Sequence, residues 1–189
     1  MMVGLASAGV TWFEKCPTLG VDLIPQNNID LDRYFGRWYE AQRDTTTTFE
    51  YDARCVTATY SDIDKANGLI KVENRQWNWW FFFSYNDIKG EAKCSAEGYC
   101  AVNFPKYDTS QEVNYHIMST DYLTHSIVYN CKEQWFGLYK TEVLWILARK
   151  PNVDQAYLNS KRAIVTEKIP WYNHERDGIV TDHSDCEYE

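Results

Sequence analysis

Residues 34 to 42 read Tyr-Phe-Gly-Arg-Trp-Tyr-Glu-Ala-Gln and place a Gly-x-Trp motif among aromatic side chains, just after the acidic turn Asp30-Leu31-Asp32. Gly36 has no side chain, so the backbone can turn there or approach another segment closely. Trp38 supplies a large apolar side chain with one polar edge. The stretch therefore predicts the first strand of a closed sheet, entered through a short helical turn.

Two later segments fit the same sheet. Residues 119 to 122, Ser-Thr-Asp-Tyr, end one strand and turn into the next, and residues 143 to 149, Val-Leu-Trp-Ile-Leu-Ala-Arg, close the sheet. Together the three segments resemble the signature of the lipocalin family, most closely its apolipoprotein D, insect lazarillo and crustacyanin branch. The resemblance runs in order from Asn28 to about Asn152. The residues that carry the signature are Gly36, Trp38, Thr120, Asp121, Tyr122 and Arg149.

The resemblance implies an all-β fold, an eight-stranded up-and-down antiparallel barrel with one C-terminal α-helix packed outside. A barrel of this size can leave a cavity for one small ligand. We therefore expect a secreted binding protein, not an enzyme, that carries or sequesters a small hydrophobic ligand such as a lipid, sterol, carotenoid or bilin. Two alternatives stay open. One is a pigment protein of the crustacyanin kind, as a homo- or hetero-oligomer, and the other is a structural or interaction module.

The remaining sequence alternates in a way that fits a barrel wall. Residues 55 to 62 put Val56, Ala58 and Tyr60 on one face and Thr57, Thr59 and Ser61 on the other. Further strands are expected around residues 69–76, 84–93, 99–104, 112–120, 124–132 and 142–150. After Pro151 the period changes to that of a helix capped by Asn152 or Asp154, whose inner face carries the following residues: Val153, Tyr157, Leu158, Ser160, Ile164 and Val165.

Charge and length limit the possible functions. The chain has 189 residues, a formal net charge of -8 and no cluster of Lys and Arg, which excludes a nucleic-acid-binding surface. We divide the chain into two parts. Residues 1–15 are an N-terminal extension that we interpret as the remnant of a signal peptide, and residues 16–189 are a single domain that includes the C-terminal tail. Aromatic residues make up 16% of the chain, which suits a barrel core or a cavity for a flat ligand.

Six cysteines in a small all-β chain indicate an oxidising compartment, although six cysteines can pair in 15 ways. The family resemblance implies that Cys16 pairs with Cys131 and Cys55 with Cys186, which leaves Cys94 for Cys100. A zinc site at Cys94 and Cys100 is the alternative. No Cys-x2-Cys and no pair of histidines at ligand spacing supports that alternative, so no metal is expected.

The resemblance also selects residues that point into the cavity. Relatives use an aromatic residue of the second strand, the Asn of the Lys-Val-x-Asn segment and the Trp of the closing strand, which match Tyr60, Asn74 and Trp145. Strand parity adds neighbours on the same faces. The added residues are Val56, Ala58, Val72, Val143 and Leu147.

One segment departs from the family pattern. Residues 77 to 83 read Trp-Asn-Trp-Trp-Phe-Phe-Phe, with neither strand alternation nor a helical stripe. We expect this aromatic loop at the open mouth of the barrel, where it grips a large ligand or contacts a membrane surface or a protein partner. Its aromatic residues are Trp77, Trp79, Trp80, Phe81, Phe82 and Phe83.

Catalytic residues are not evident in the sequence. The four histidines are scattered, no Ser/His/Asp or Cys/His arrangement is visible, and every cysteine has a bridging partner in the expected pairing. The paired carboxylates Asp62 and Asp64 are more typical of a solvated surface than of acid/base chemistry.

Overall fold

The computed structural model describes residues 10–47, 50, 52–78, 84–104 and 112–188. These residues form ten strands: β1 (Val10–Trp12), β2 (Gly36–Asp44), β3 (Arg54–Asp64), β4 (Leu69–Asn78), β5 (Ser84–Cys94), β6 (Tyr99–Asn103), β7 (Tyr115–Thr120), β8 (His125–Gln134), β9 (Tyr139–Ala148) and β10 (Gly178–Val180). The helices are α1 (Leu31–Tyr34), α2 (Gln155–Lys168) and α3 (His174–Asp177), with a 3₁₀ turn over Lys65–Asn67.

Strands β2 to β9 form a closed antiparallel barrel. Each pairs with the next along the chain, and the last pairs back with the first, so that Tyr39 lies opposite Ala148. The predicted eight-stranded barrel is therefore confirmed. Two short strands add to its outside, because β1 pairs with the first part of β9 and β10 pairs with the end of β2. Part of the predicted N-terminal extension thus lies against the barrel.

The long helix α2 packs on the outside of the barrel, as predicted. The Asp154 side chain caps it by accepting a hydrogen bond of 2.7 Å from the backbone N–H of Tyr157. Leu158 and Val165 are buried against the outer faces of the strands. The prediction that Ser160 belongs to the buried face is wrong, because Ser160 is exposed. The buried face of the helix runs through Leu158 and Val165, two turns apart.

Arg149 closes one end of the barrel. Its guanidinium carbon lies 3.6 Å from the ring centroid of Trp38, and Gly36 leaves room for it, since a Cβ at that position would lie 3.3 Å from Arg149 Nη1. The guanidinium also donates hydrogen bonds to five backbone carbonyls, those of residues 33, 34, 35, 37 and 122. Gly36 itself has a φ of 95°, in the region that favours glycine.

The turn between β7 and β8 is built from the other signature residues. Asp121 Oδ1 accepts hydrogen bonds from the backbone N–H groups of Leu123, Thr124 and His125. Thr120 Oγ1 accepts one from the N–H of Tyr122. The motif therefore shapes the hairpin turn rather than a binding surface.

Three disulfides join all six cysteines in the pairs that the resemblance implies. Cys16 bonds Cys131 across 115 residues and Cys55 bonds Cys186 across 131. The third bond joins Cys94 and Cys100 on adjacent strands. Chain-entropy arguments give about 4–5 kcal/mol for closing each long loop. The N-terminal arm and the C-terminal tail are thereby fastened to opposite parts of the barrel wall.

Replacing Arg149 by Met should lower the free energy of unfolding by roughly 3 kcal/mol, because the change keeps an apolar stem over Trp38 but leaves backbone carbonyls without their donor. Urea unfolding followed by tryptophan fluorescence measures the loss. Lys150→Met, at the exposed neighbouring position, is the control and should stay within about 0.5 kcal/mol of the parent. Equal losses for the two variants would contradict a closing role for Arg149.

Candidate functional site

A cavity of about 280 Å³ lies inside the barrel. Its volume is at the lower end of the range of roughly 300–1,000 Å³ that is usual for small-molecule sites. The structure brings all eight predicted cavity residues together in its wall: Val56, Ala58, Tyr60, Val72, Asn74, Val143, Trp145 and Leu147. That these residues contact a ligand stays a prediction.

Strand alternation explains most of this wall, and a register shift explains one exception. Thr57, expected on the outer face of β3, also borders the cavity. The pairing of β3 with β4 shifts between Arg54 and Thr57, and Cys55 has a φ of 56°. Such a bulge breaks the alternation of side chains locally, so that neighbouring residues turn toward the same side.

Eight lining residues were not predicted: Glu40, Glu50, Thr57, Val102, Phe104, Asn114, Tyr115 and Asn130. Parity could have found two of them, since Glu40 shares a face with Trp38 on β2 and Asn130 shares a face with Val128 on β8. Periodicity carries no information about Glu50, which lies in the connection between β2 and β3.

A chain of hydroxyl groups runs from the closed end into the cavity. Ser126 Oγ lies 2.8 Å from the Tyr34 hydroxyl, which lies 2.9 Å from that of Tyr115, and the Tyr115 hydroxyl lies 2.9 Å from that of Tyr60. Burial raises the pKa of Tyr34 to about 12 and also raises the pKa values of Tyr60 and Tyr115, so all three stay neutral. Either hydroxyl of each pair can be the donor, so these hydrogen bonds can point in either direction. The hydroxyl at the cavity end can therefore donate to a guest or accept from it.

Two buried carboxyl groups border the cavity. Glu40 lies on β2, and Glu50 lies in the connection between β2 and β3. Glu40 pairs with the buried guanidinium of Arg43 at 2.9 Å. Glu50 accepts a hydrogen bond of 3.2 Å from the Trp145 indole N–H. Burial raises the pKa of Glu50 well above its ordinary value, and the charge of Glu40 adds to the effect, while Trp145 and Arg43 oppose it. The fold therefore favours the protonated form of Glu50.

The amide groups of the wall differ in how they are satisfied. Asn114 is fixed by hydrogen bonds of 2.8 and 2.9 Å to the backbone of Val102. Asn74 Oδ1, in contrast, is buried and has no hydrogen-bond partner among the described residues. A buried acceptor of this kind is costly unless a donor reaches it. Asn74 is thus the point in the wall where a bound molecule would gain most from donating a hydrogen bond.

The aromatic segment is only partly described. Trp77 lies in β4, where its backbone pairs with Tyr85, and not in a loop as predicted. The other five aromatic residues of the predicted loop, Trp79, Trp80, Phe81, Phe82 and Phe83, lie outside the described residues.

A different apolar surface is exposed at the end of the barrel opposite Arg149. The β8–β9 hairpin carries Trp135 and Phe136 at its tip, and the exposed fraction of the Trp135 side chain is 73%. Exposed Phe13 lies beside Leu138, to whose carbonyl its backbone N–H donates a hydrogen bond. We call these four residues the hairpin tip patch. Sequence alternation could not reveal it, because the residues lie in a turn and in a separate segment.

The sequence shows no Ser/His/Asp arrangement, but the fold brings one serine, one histidine and one aspartate together. Ser119 Oγ lies 3.1 Å from His125 Nε2, and Asp121 Oδ2 lies 3.2 Å from His125 Nδ1. The β7–β8 hairpin brings the three together although they are not adjacent in sequence. None of them is among the residues that line the cavity, and Asp121 already caps the turn through three backbone N–H groups.

The described part of the chain carries neither a metal-ligand cluster nor a membrane-spanning helix. There, no three His, Cys, Asp or Glu side chains are grouped so that they could hold a metal ion. Within the same ranges, no helix is both long enough and apolar enough to span a bilayer.

Known proteins resemble this chain in sequence and in fold. A family model described as a lipocalin-like domain matches residues 29–175. Apolipoprotein D of Mus musculus is 32% identical over 155 residues, which cover 80% of this chain and 75% of that protein. The Lazarillo protein of Schistocerca americana is 32% identical over 140 residues, covering 71% of this chain and 63% of that protein. Insecticyanin from the tobacco hornworm Manduca sexta has the same fold, with a TM-score of 0.75 at 18% identity over 95% of this chain and 91% of its own.

Replacing Glu50 by Gln should stabilise the protein at neutral pH but not in acid. Because the folded-state pKa of Glu50 is raised above its ordinary value of 4.5, its contribution to stability is complete below about pH 4.5 and is lost as the pH rises through the folded-state pKa. Gln cannot ionise, so the difference in midpoint temperature between the variant and the parent should grow from pH 4 to pH 8.

Thermal unfolding at several pH values tests this expectation. Glu97→Gln is the control, since Glu97 is exposed and a hydrogen bond from Ser95 lowers the pKa of its carboxyl. The difference in midpoint temperature between Glu97→Gln and the parent should therefore fall, not grow, from pH 4 to pH 8. Parallel curves for Glu50→Gln and the parent would contradict a neutral Glu50.

Proposed function

The chain belongs to the lipocalin family, and from that premise we propose that it binds one small hydrophobic molecule inside the barrel and carries or sequesters it. The observation that carries this proposal is the cavity. Val56, Val72 and Leu147 give it an apolar wall, and a few polar groups interrupt that wall at fixed places. Sites for small molecules combine these two properties, because apolar contact supplies affinity and the polar groups supply orientation.

We also propose that the protein works outside the cell. Three disulfides fit an oxidising compartment, since such bonds persist in secreted proteins. The relatives named apolipoprotein D and outer membrane lipoprotein Blc support a role close to lipid.

Native mass spectrometry of the protein purified from its source, with a visible absorption spectrum of the same sample, identifies the guest. A small apolar adduct supports a carrier. A visible band would support the alternative of a pigment protein, and a stoichiometric protein complex without a small adduct would favour an interaction module.

The hairpin tip patch supports a second function, contact with a lipid surface. A stable protein interface buries about 800 Å² on each partner, more than the four side chains of the patch can supply. Trp and Phe at a protruding turn suit the boundary between water and acyl chains, where their rings find both environments. Since the net charge is -8, we expect zwitterionic rather than anionic lipid.

Filling the cavity should abolish binding. Ala58→Phe inserts a ring into the lining, and we expect it to weaken binding of the neutral fluorescent probe N-phenyl-1-naphthylamine by at least about tenfold. Thr59→Phe places the same ring on the opposite face of β3 and is the matched control. If both variants bind the probe as the parent does, while far-ultraviolet circular dichroism shows the parent fold, the guest does not occupy this cavity.

Removing the aromatic tip should abolish vesicle binding. The double variant Trp135→Ser, Phe136→Ser is expected to lose co-sedimentation with phosphatidylcholine vesicles while still binding the fluorescent probe. Leu123→Ser is the control, because Leu123 is also 73% exposed but lies on the turn at the opposite end of the barrel. Unchanged sedimentation of the double variant, or an equal loss for Leu123→Ser, would refute the lipid contact.

A further inference from the structure

The charges that border the cavity are unusual for a carrier of lipids. Glu40 and Glu50 line it, but none of the lining residues in the described part of the chain is Lys, Arg or His. A carboxylate buried without a cationic partner or a full set of donors costs several kcal/mol. An anionic guest would therefore lose its hydration on entering and would meet carboxyl groups instead of a counter-charge.

Arg43, a cation beside these carboxyl groups in the described part of the chain, is already engaged. Arg43 is buried, is not among the lining residues, and donates from Nη1 to Glu40 Oε1 and to Thr181 Oγ1. The Thr181 hydroxyl in turn donates to the Glu40 carboxylate. The guanidinium thus compensates Glu40 directly and acts on Glu50 only as a weaker effect that burial outweighs.

Glu50 consequently behaves as a neutral acid at the cavity wall. One of its oxygens, Oε2, accepts from the Trp145 indole. Burial raises the pKa of its carboxyl, and the charge of Glu40 and a hydrogen bond to the Glu40 side chain raise it further. A protonated carboxyl offers both a donor and an acceptor to a neighbouring group. The other polar groups of the wall are also uncharged, among them Asn74 with its unpartnered Oδ1 and the Tyr60 hydroxyl.

We propose that this barrel selects uncharged guests that carry a hydroxyl group and rejects guests that carry a carboxylate, because Glu40 and Glu50 border the cavity with no cation among the described lining residues. This inference rests on the proposed binding function and narrows it to a chemical class. A long-chain or polycyclic alcohol meets the requirements, because its oxygen can accept from a wall hydroxyl such as that of Tyr60 and its hydrogen can reach an acceptor such as Asn74 Oδ1. A fatty acid anion or a bilin with ionised propionates does not.

Displacement of bound N-phenyl-1-naphthylamine by 1-decanol and by decanoate at pH 8 tests the selectivity, because the two competitors share a chain length and differ in charge. Decanol should displace the probe at a concentration at least about tenfold lower than decanoate. Equal potency of the two would overturn the inference and leave the binding function standing. Failure of the probe and of both competitors to bind would refute the binding function itself.

Placing a cation in the wall should reverse the selectivity. Asn130 lines the cavity on β8, and Asn130→Lys supplies a flexible ammonium group that can reach a guest. We expect decanoate to bind at least about tenfold more tightly to this variant than to the parent. Asn130→Met, with an apolar side chain of comparable length, should show no such gain. A folded Asn130→Lys protein without a gain would contradict the inference.

A second variant examines Glu50 directly and does not depend on a new charge. Glu50→Gln keeps a neutral donor and an acceptor, so the affinities for decanol and decanoate should both stay within about threefold of the parent. A gain of tenfold or more in decanoate affinity would show that Glu50 is ionised in the parent and would overturn its assignment as a neutral acid.

Discussion

The guanidinium of Arg149 is the group on which the architecture depends. It lies over the Trp38 ring and binds carbonyls from α1, from the start of β2 and from the β7–β8 turn, so one side chain joins three separate parts of the chain. Strand pairing alone closes the wall of a barrel but not its end. Because Arg149 and Trp38 fill one end, the cavity has no entrance between them.

The C-terminal tail contributes to the cavity although it lies outside the barrel. Thr181 bonds to the Glu40 carboxylate, and a His183 ring nitrogen lies 2.7 Å from the Glu40 carbonyl oxygen. The bond between Cys55 and Cys186 holds the tail against β3. Reducing that disulfide would therefore release groups that compensate a buried charge in the cavity wall, so the disulfide supports the electrostatics of the site as well as the stability of the fold.

The sequence allowed the fold and half of the cavity wall to be predicted, and the reason is physical. Alternation along a strand decides which side chains face inward, so Ala58, Val72 and Leu147 could be placed without a structure. The same rule fails at the bulge near Thr57 and says nothing about Glu50, which lies between β2 and β3 rather than in a strand. The contact between Ser119 and His125 likewise forms only when the β7–β8 turn folds and brings their side chains together.

Under the proposed function, the residues that strand alternation predicts and those that it does not predict have different effects on binding. The apolar wall that periodicity predicts attracts any guest of suitable shape, because the hydrophobic effect has little directional preference. Discrimination between guests comes from the polar atoms, since leaving one unpaired or burying an uncompensated charge costs more than a methylene group contributes. Under the proposed function, the part of the site that sequence patterns predict therefore supplies affinity, and the polar groups around Glu50, Glu40 and Trp145 supply specificity.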